Sequence, residues 1–538
     1  MVARPARPGR RHRSRGQGGR LRIVTTTAGP LLEPPPERLD VPAAPAVPVA
    51  PPRDRTAWAL GLVLAAGALL RVWHIDAIGL NSDEAVYVGQ AAGIGHVQGL
   101  DPYFPIFRAH PLLFQTVLSF GFRLGLEPGS FERLASAVVG LLNVLLVFEI
   151  GRLLYGRRAG LLAAMALALM PYDVVVSRQV LLDGPMTLCA TLALYMMVRF
   201  AMSERAMWLY GAGAALGLTV LAKETGIVLV GAIYAFLALS PAVRVRLKDL
   251  AKSMGVMALV VAPYPLALML SGESGTGGNF LTWQLLRRPN HTWDFYATTV
   301  PGAIGPVVLA AAAVGLWRSR RLRSWRETLL LSWILAPTAF FQVWPVKGYQ
   351  YLLPAAPAVA LLAGRGLAGL GSWVRPVAVA AVVLTLVVPS WQKIQPANGS
   401  SSLAGTGGVP GGREAGLWVG EHVPLGASLL TVGPSMANIL QFYGRRKAYG
   451  LSVSLNPLRR NPTYEPLANP DLAIRHGALR YVVWDAFSAQ RSPVFSRRLL
   501  RYADRYNGRV VETESVPGRT RSGKTARTPV IVIYEVRP

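Results

Sequence analysis

The sequence predicts a polytopic α-helical membrane protein that carries a C-terminal α/β domain. Three observations predict it. Hydrophobic residues fill 52% of 538 positions and charged residues only 16%, where a soluble domain carries about 25% charged. Apolar runs of the ~20 residues that cross a bilayer recur through the middle of the chain. After residue 392 the texture changes to short runs of mixed period, the pattern of alternating strands and helices. Cys189, the single cysteine, lies in an apolar run, which excludes a disulfide-stapled module and a cysteine zinc site.

Residues 1–55 form a tail of Arg, Pro, Gly and Ala that cannot bury enough apolar surface to offset its ordering entropy, and it reads as a disordered basic cytoplasmic tail. No apolar stretch of a signal peptide appears before about residue 57. Candidate spans follow at 57–74, 134–154, 159–176, 184–202, 206–222, 225–240, 253–271, 298–317, 328–344, 350–370 and 374–391, about 11 transmembrane helices within a domain of residues 56–392. A further apolar run, 111–126, carries Arg123 and ends in Leu-Gly-Leu-Glu-Pro-Gly.

The distribution of Lys and Arg decides that run. If 111–126 stays at the interface, the inner loops collect the basic tail, Arg157, Arg158, Arg205, Arg244, Arg246, Lys248, Lys252 and the cluster Arg318, Arg320, Arg321, Arg323, Arg326. The outer loops keep few bases: Arg108, Arg178, Arg287, Arg288 and Lys347. The N-terminus is then inside and the C-terminal domain extracytoplasmic. A Gly/Ser-rich linker, 393–412, precedes that domain at 413–538, where strand-like runs at 428–432, 481–484, 510–514 and 530–536 alternate with helix-like runs at 414–422, 435–443 and 494–506. The net charge of 56 − 28 = +28 is scattered along the inner loops without a nucleic-acid-binding module, so no nucleic-acid partner is expected.

Chemistry gathers on the predicted outer face. Asn81-Ser82-Asp83-Glu84-Ala85-Val86-Tyr87 puts two adjacent carboxylates just beyond the first span, where ionised groups are costly without a purpose. Either could take a proton from an acceptor hydroxyl. The competing reading is a helix cap at Ser82 or Asp83. Asp183, ahead of Gly184-Pro185, poses the same choice at another helix start, with Arg178 five residues upstream. Lys223 ends one span, Lys347 and Tyr351 begin another, and the stretch from Arg287 and Arg288 through His291 to Tyr296 adds cations and aromatics. Cations suit a phosphate. His110, His291 and the carboxylates are the candidates for a divalent-metal site, although no two histidines have tight ligand spacing, so no cofactor is assigned.

In order and spacing these motifs resemble the bacterial membrane glycosyltransferases of the GT-C class, the family 39-like group of protein mannosyltransferases and lipid A aminoarabinose transferases. The residues that carry the resemblance are Asp83-Glu84 with Tyr87, His110-Pro111-Leu112, Glu132-Arg133-Leu134, Arg178 through Pro185, Gly217 through Lys223, and Lys347, Tyr351 and Leu353-Pro354, within residues 57–391. Leu112 departs from the second proline common in the family, which bears on the local loop and not on the acidic pair. The resemblance implies a GT-C fold and sugar transfer from a polyprenyl-phosphate donor to a cell-envelope protein, glycan or lipid, at the outer face of a bacterial plasma membrane. It implies Asp83 as the catalytic base, Glu84 orienting the acceptor, and Asp183 bordering the cavity. Lys223, Arg178, Lys347 and Tyr351 are then candidates for the donor phosphate, and Tyr87, His110, Arg288 and His291 for further substrate contacts. The alternative is a transporter or flippase of a lipid-linked or anionic solute, which calls for ionisable residues near the bilayer midplane. Here the charges sit at span ends.

Overall fold

The computed structural model describes residues 55–107, 110–320, 324–395, 409–519 and 525–538. The basic tail, most of the Gly/Ser linker, Arg108, Arg321 and Arg323 lie outside the described residues.

Helix α1 (Thr56–Val72) is followed by a helical excursion, α2 (Ser82–Ile94) and α3 (Leu113–Arg123). At 11 residues α3 is ~16 Å long, too short to cross a bilayer, as expected of the 111–126 run. The bundle continues with α4 (Glu132–Tyr155), α5 (Arg157–Leu169), α6 (Pro171–Ser177), α7 (Asp183–Ser203), α8 (Ala206–Ala222) and α9 (Val228–Leu239). Then come α10 (Leu247–Val261), α11 (Pro263–Leu270), α12 (Ser274–Leu286), α13 (Phe295–Ile304), α14 (Pro306–Ser319), α15 (Trp325–Val343), α16 (Ala356–Ala368) and α17 (Val374–Ile394).

Every predicted span falls on helix, but not every one is a straight span. Among the described residues five helices are long and apolar enough to cross a membrane, or seven when two bent pairs are included; α1, α8 and the Glu224–Leu239 segment are shorter apolar helices. The run 159–176 bends by 59° between α5 and α6, where Pro171 cannot continue the hydrogen-bond ladder. The run 298–317 turns by 91° between α13 and α14. Gly305, at φ +99°, supplies the backbone conformation that this corner needs, and Pro306 restarts the helix. Hydropathy windows read composition and are blind to that corner.

Small residues let helices touch backbone to backbone. A Cβ on Gly366 of α16 would collide with the Ala311 carbonyl of α14, and one on Gly151 of α4 would collide with Gly160 of α5. The resulting core joins residues of α4 to α9 with α14 to α16.

The C-terminal region contains α18 (Gly412–His422), β1 (Ser428–Thr431), α19 (Pro434–Gly444), β2 (Ala448–Gly450), α20 (Pro470–Arg475), β3 (Leu479–Asp485), α21 (Ala486–Arg491), α22 (Pro493–Arg505), β4 (Arg509–Arg519) and β5 (Thr525–Glu535). All four predicted strands and three predicted helices are present; β2, α20 and α21 are too short to stand out in sequence. The sheet order is β2-β1-β3-β5-β4, with β1 parallel to β2 and β3, and β5 antiparallel to β3 and β4. Successive side chains on a strand alternate faces. Thus Leu429 and Val483 pack with Val419 of α18 and Ile439 of α19, while Leu430 and Val482 pack with Ile474 of α20 and Leu499 of α22.

Candidate active site

The N-terminus of α2 organises the site. Its cap is Asn81, one residue before the expected Ser82 and two before the expected Asp83: Asn81 Oδ1 accepts from the Asp83 and Glu84 amides at 2.9 and 3.0 Å. Glu84 Oε2 accepts from the Asn81 amide in return, at 2.9 Å, completing a capping box. The Asp83 carboxylate is therefore not spent on capping. At α7 the cap position is Leu182 and makes no side-chain bond, so Asp183 is not a cap either. Both of its oxygens instead accept from Lys223 Nζ, at 2.9 and 2.8 Å, with both residues buried.

Asp83 is half-buried and lines a small cleft of about 60 Å³ with Val86, Tyr87, Gln90, His110, Asn461, Thr463 and Tyr464. Burial pushes its carboxyl pKa above the ordinary value of 3.8, opposed by the positive charge of Lys223 and His110. A raised pKa makes a better proton acceptor. Burial also pushes the Tyr87 hydroxyl well above its usual value, so it stays protonated. His110 Nδ1 is paired with a Glu224 carboxylate oxygen at 2.8 Å, and its ring meets Tyr87 and Phe280 edge-on at 6.0 and 5.1 Å. Lys223 Nζ lies over the Tyr351 ring at 4.9 Å. Arg287 is half-buried, its pKa lowered by that burial, and its charge is felt by Tyr351, Tyr464 and Asp83.

Glu84 faces the other way. Oε1 accepts from Arg133 Nε at 2.8 Å and the Val180 amide at 3.0 Å; Oε2 accepts from an Arg133 terminal nitrogen at 2.7 Å besides the Asn81 amide. Two bonds to each oxygen fill its acceptor capacity. Arg133 donates as well to the carbonyls of Ile75, Ile78 and Gly79. The structure thus gives Glu84 the work of tying α2, α4 and the loop before α7 together, with no open position for an acceptor.

Of the predicted site residues, Asp83, Tyr87 and His110 share the cleft, and Asp183, Lys223 and Tyr351 form a contiguous group whose charges are felt at Asp83 and Tyr87. Arg178 does not join them. Its guanidinium donates to the carbonyls of Leu70 and Arg71, both at 2.9 Å, and lines a separate depression behind α2 with Arg133 and Lys393. Lys347 Nζ is buried against the Gln342 and Trp344 carbonyls, at 3.0 and 3.4 Å, and over the Trp293 ring. His291 stacks on Phe295 at 3.9 Å, and Arg288 is exposed. Among the described residues no three His, Cys, Asp or Glu side chains gather to hold a metal ion.

The sequence reading missed Glu224 and the segment 461–464, and it named Arg287 without singling it out as a site residue. Glu224 had a signal, a charge interrupting two apolar runs. Arg287 had to be chosen over its neighbour Arg288. Asn461, Thr463 and Tyr464 had none, because only the folded C-terminal domain brings them to α2.

Residues 109–267 match the protein family described as dolichyl-phosphate-mannose-protein mannosyltransferase. No curated protein matches the chain by sequence. Solved structures do match in fold. ArnT from Cupriavidus metallidurans in the apo state gives a TM-score of 0.67 at 17% identity, over 89% of this chain and 98% of that one. ArnT bound to undecaprenyl phosphate gives 0.63 at 16% identity, over 89% and 98%. The Archaeoglobus fulgidus oligosaccharyltransferase, in complex with Zn and sulfate, gives 0.57 at 16% identity, over 87% and 73%. The chain therefore has the GT-C membrane fold and resembles the protein mannosyltransferases and ArnT of the family 39-like group.

Proposed function

We propose that the protein is a glycosyltransferase that moves a sugar from a polyprenyl-phosphate donor to a cell-envelope acceptor, with Asp83 as the base. The observation that carries the proposal is the contrast at α2: Asp83 opens into a cleft beside Lys223 and His110, while Glu84 next to it is saturated. An acceptor hydroxyl gives its proton to Asp83 as its oxygen bonds to the anomeric carbon. The bond from that carbon to the phosphate oxygen breaks, and polyprenyl phosphate leaves as an anion. Lys223, held by Asp183, and Arg287 supply positive charge for the leaving phosphate, the kind of fixed electrostatic stabilisation that needs no reorganisation. A single displacement inverts the anomeric configuration. The undecaprenyl phosphate bound by ArnT supports a lipid-phosphate donor. The reading places the site at the outer face of a bacterial plasma membrane, with the N-terminus inside and the C-terminal domain outside.

The test uses purified protein, a panel of radiolabelled polyprenyl-phosphate sugars and crude cell-envelope acceptor. Turnover of one donor by the wild type, lost in Asp83→Asn while that variant still binds the donor, is the expected result. Undiminished turnover by Asp83→Asn removes the base from the mechanism, and retained anomeric configuration in the product refutes single displacement. If every donor is inert and unbound, the transporter reading replaces this one.

A further inference from the structure

At the opposite end of the bundle, the ends of α4, α14, α15 and α16 surround a cavity of about 580 Å³. The continuous helical segment Tyr349–Ala368, of which α16 is the larger part, passes Tyr351 and reaches this cavity at Arg365, 14 residues and ~20 Å further along. The cavity is thus remote from Asp83.

Three guanidiniums, those of Arg318, Arg326 and Arg365, line it. They are anchored unequally. Arg365 pairs with Glu327 and lies over the Tyr155 ring at 4.6 Å. Arg318 donates to the Gly369 carbonyl at the neighbouring helix end. Arg326 lies 5.8 Å from the Trp325 ring centre, and among the described residues no hydrogen bond or ion pair of its side chain is seen. Among the described residues the one carboxylate paired with the cluster is Glu327, which also accepts from the Tyr155 hydroxyl at 2.9 Å and whose second oxygen is buried without a partner there. Among the described residues, three positive charges against one paired negative leave an excess of two. Trp317, exposed on the last turns of α14, and Trp325 at the start of α15 flank the charges, the composition of a membrane–water interface.

The charge bias that sets topology explains arginines in loops. It does not explain three guanidiniums turned onto one cavity in front of a half-buried Tyr155 bonded to a buried Glu327. We infer that this cavity binds the phosphate headgroup of a membrane lipid carrying two negative charges, as a two-phosphate lipid of the cardiolipin type does. Basic pockets between membrane helices suit such headgroups, and several fixed guanidinium donors match phosphate oxygens better than point charges do.

The full-length protein is reconstituted in phosphatidylcholine nanodiscs containing cardiolipin or phosphatidylglycerol, and lipid retained through detergent exchange is counted by native mass spectrometry. Cardiolipin is retained by the wild type in preference to phosphatidylglycerol. Arg326→Gln, which breaks no internal ion pair, lowers that retention about fivefold, the effect of one basic residue beside an anionic headgroup. Glu327→Gln keeps the hydrogen-bonding shape while raising the net charge of the site, and retention rises. A merely structural role for Glu327 gives no such gain. Equal retention by wild type and Arg326→Gln overturns the inference, as does equal retention of the two lipids. Displacement of bound cardiolipin by inorganic pyrophosphate at equal concentration shows a free-anion site instead and also overturns it.

Discussion

Helix α2 carries two carboxylates on consecutive residues, and its two sides give them opposite surroundings. Glu84 meets Arg133, the Val180 amide and the Asn81 amide, and nothing further can bind it. Asp83 meets a cleft, with cations near enough to be felt and a hydroxyl donor in Tyr87 on its wall. The difference teaches that an acidic pair in sequence is not a pair in function. One member holds the helix still so that the other can be left open.

The largest expected effect breaks the open side. Asp83→Asn lowers transfer by about 10²–10⁴, the usual contribution of a positioned base, while its melting temperature does not fall, because the change removes a charge that burial disfavours. Glu84→Gln does the reverse. It leaves Arg133 buried without its counter-charge, which costs about 3–5 kcal/mol, read in chemical or thermal unfolding; an unchanged unfolding midpoint erases the proposed division of labour.

A smaller effect concerns pH. Asp83 accepts a proton only when ionised, and its raised pKa places the acid limb of the rate profile above the ordinary carboxylate value of 3.8. Activity is lost as pH falls through that limb and restored as it rises. Lys223 opposes the upward shift, so Lys223→Gln moves the limb to still higher pH; no movement separates Lys223 from Asp83 electrostatically. The smallest effect tests the far wall: Tyr464→Phe removes one hydroxyl from the cleft and changes acceptor KM by about two- to tenfold, the range of a single hydrogen bond of ~0.5–1.5 kcal/mol.

Much of the fold is written in local composition. Apolar runs of bilayer length became helices at every predicted position, and alternation marked the longer strands of the C-terminal sheet. What composition could not carry was direction: the corner at Gly305, the bend at Pro171, and the choice of Asn81 over Ser82 as cap depend on φ values and on neighbours distant in sequence. The site divides in the same way. Asp83, His110, Asp183, Lys223 and Tyr351 stood out as charged or aromatic residues at the ends of apolar runs. Arg178 stood out equally and turned out to hold the end of α1, because five donors on one guanidinium suit backbone carbonyls as well as phosphate. Tyr464 could not be read, since its neighbours are set by a sheet assembled hundreds of residues away from α2.

The C-terminal domain is fastened directly to the segment that carries Asp83. The Tyr443 hydroxyl accepts from the Leu80 amide at 2.8 Å, Asn438 donates to Ser82 Oγ at 3.0 Å, and Arg413 donates to the Asp76 carbonyl at 3.0 Å. Three bolts on seven residues, Asp76 to Ser82, make one lever of the domain and the start of α2. Grafting this domain onto another bundle would re-aim the carboxylate along with exchanging the far wall of the cleft, so a hybrid that lost the proposed activity would say nothing about which half was responsible.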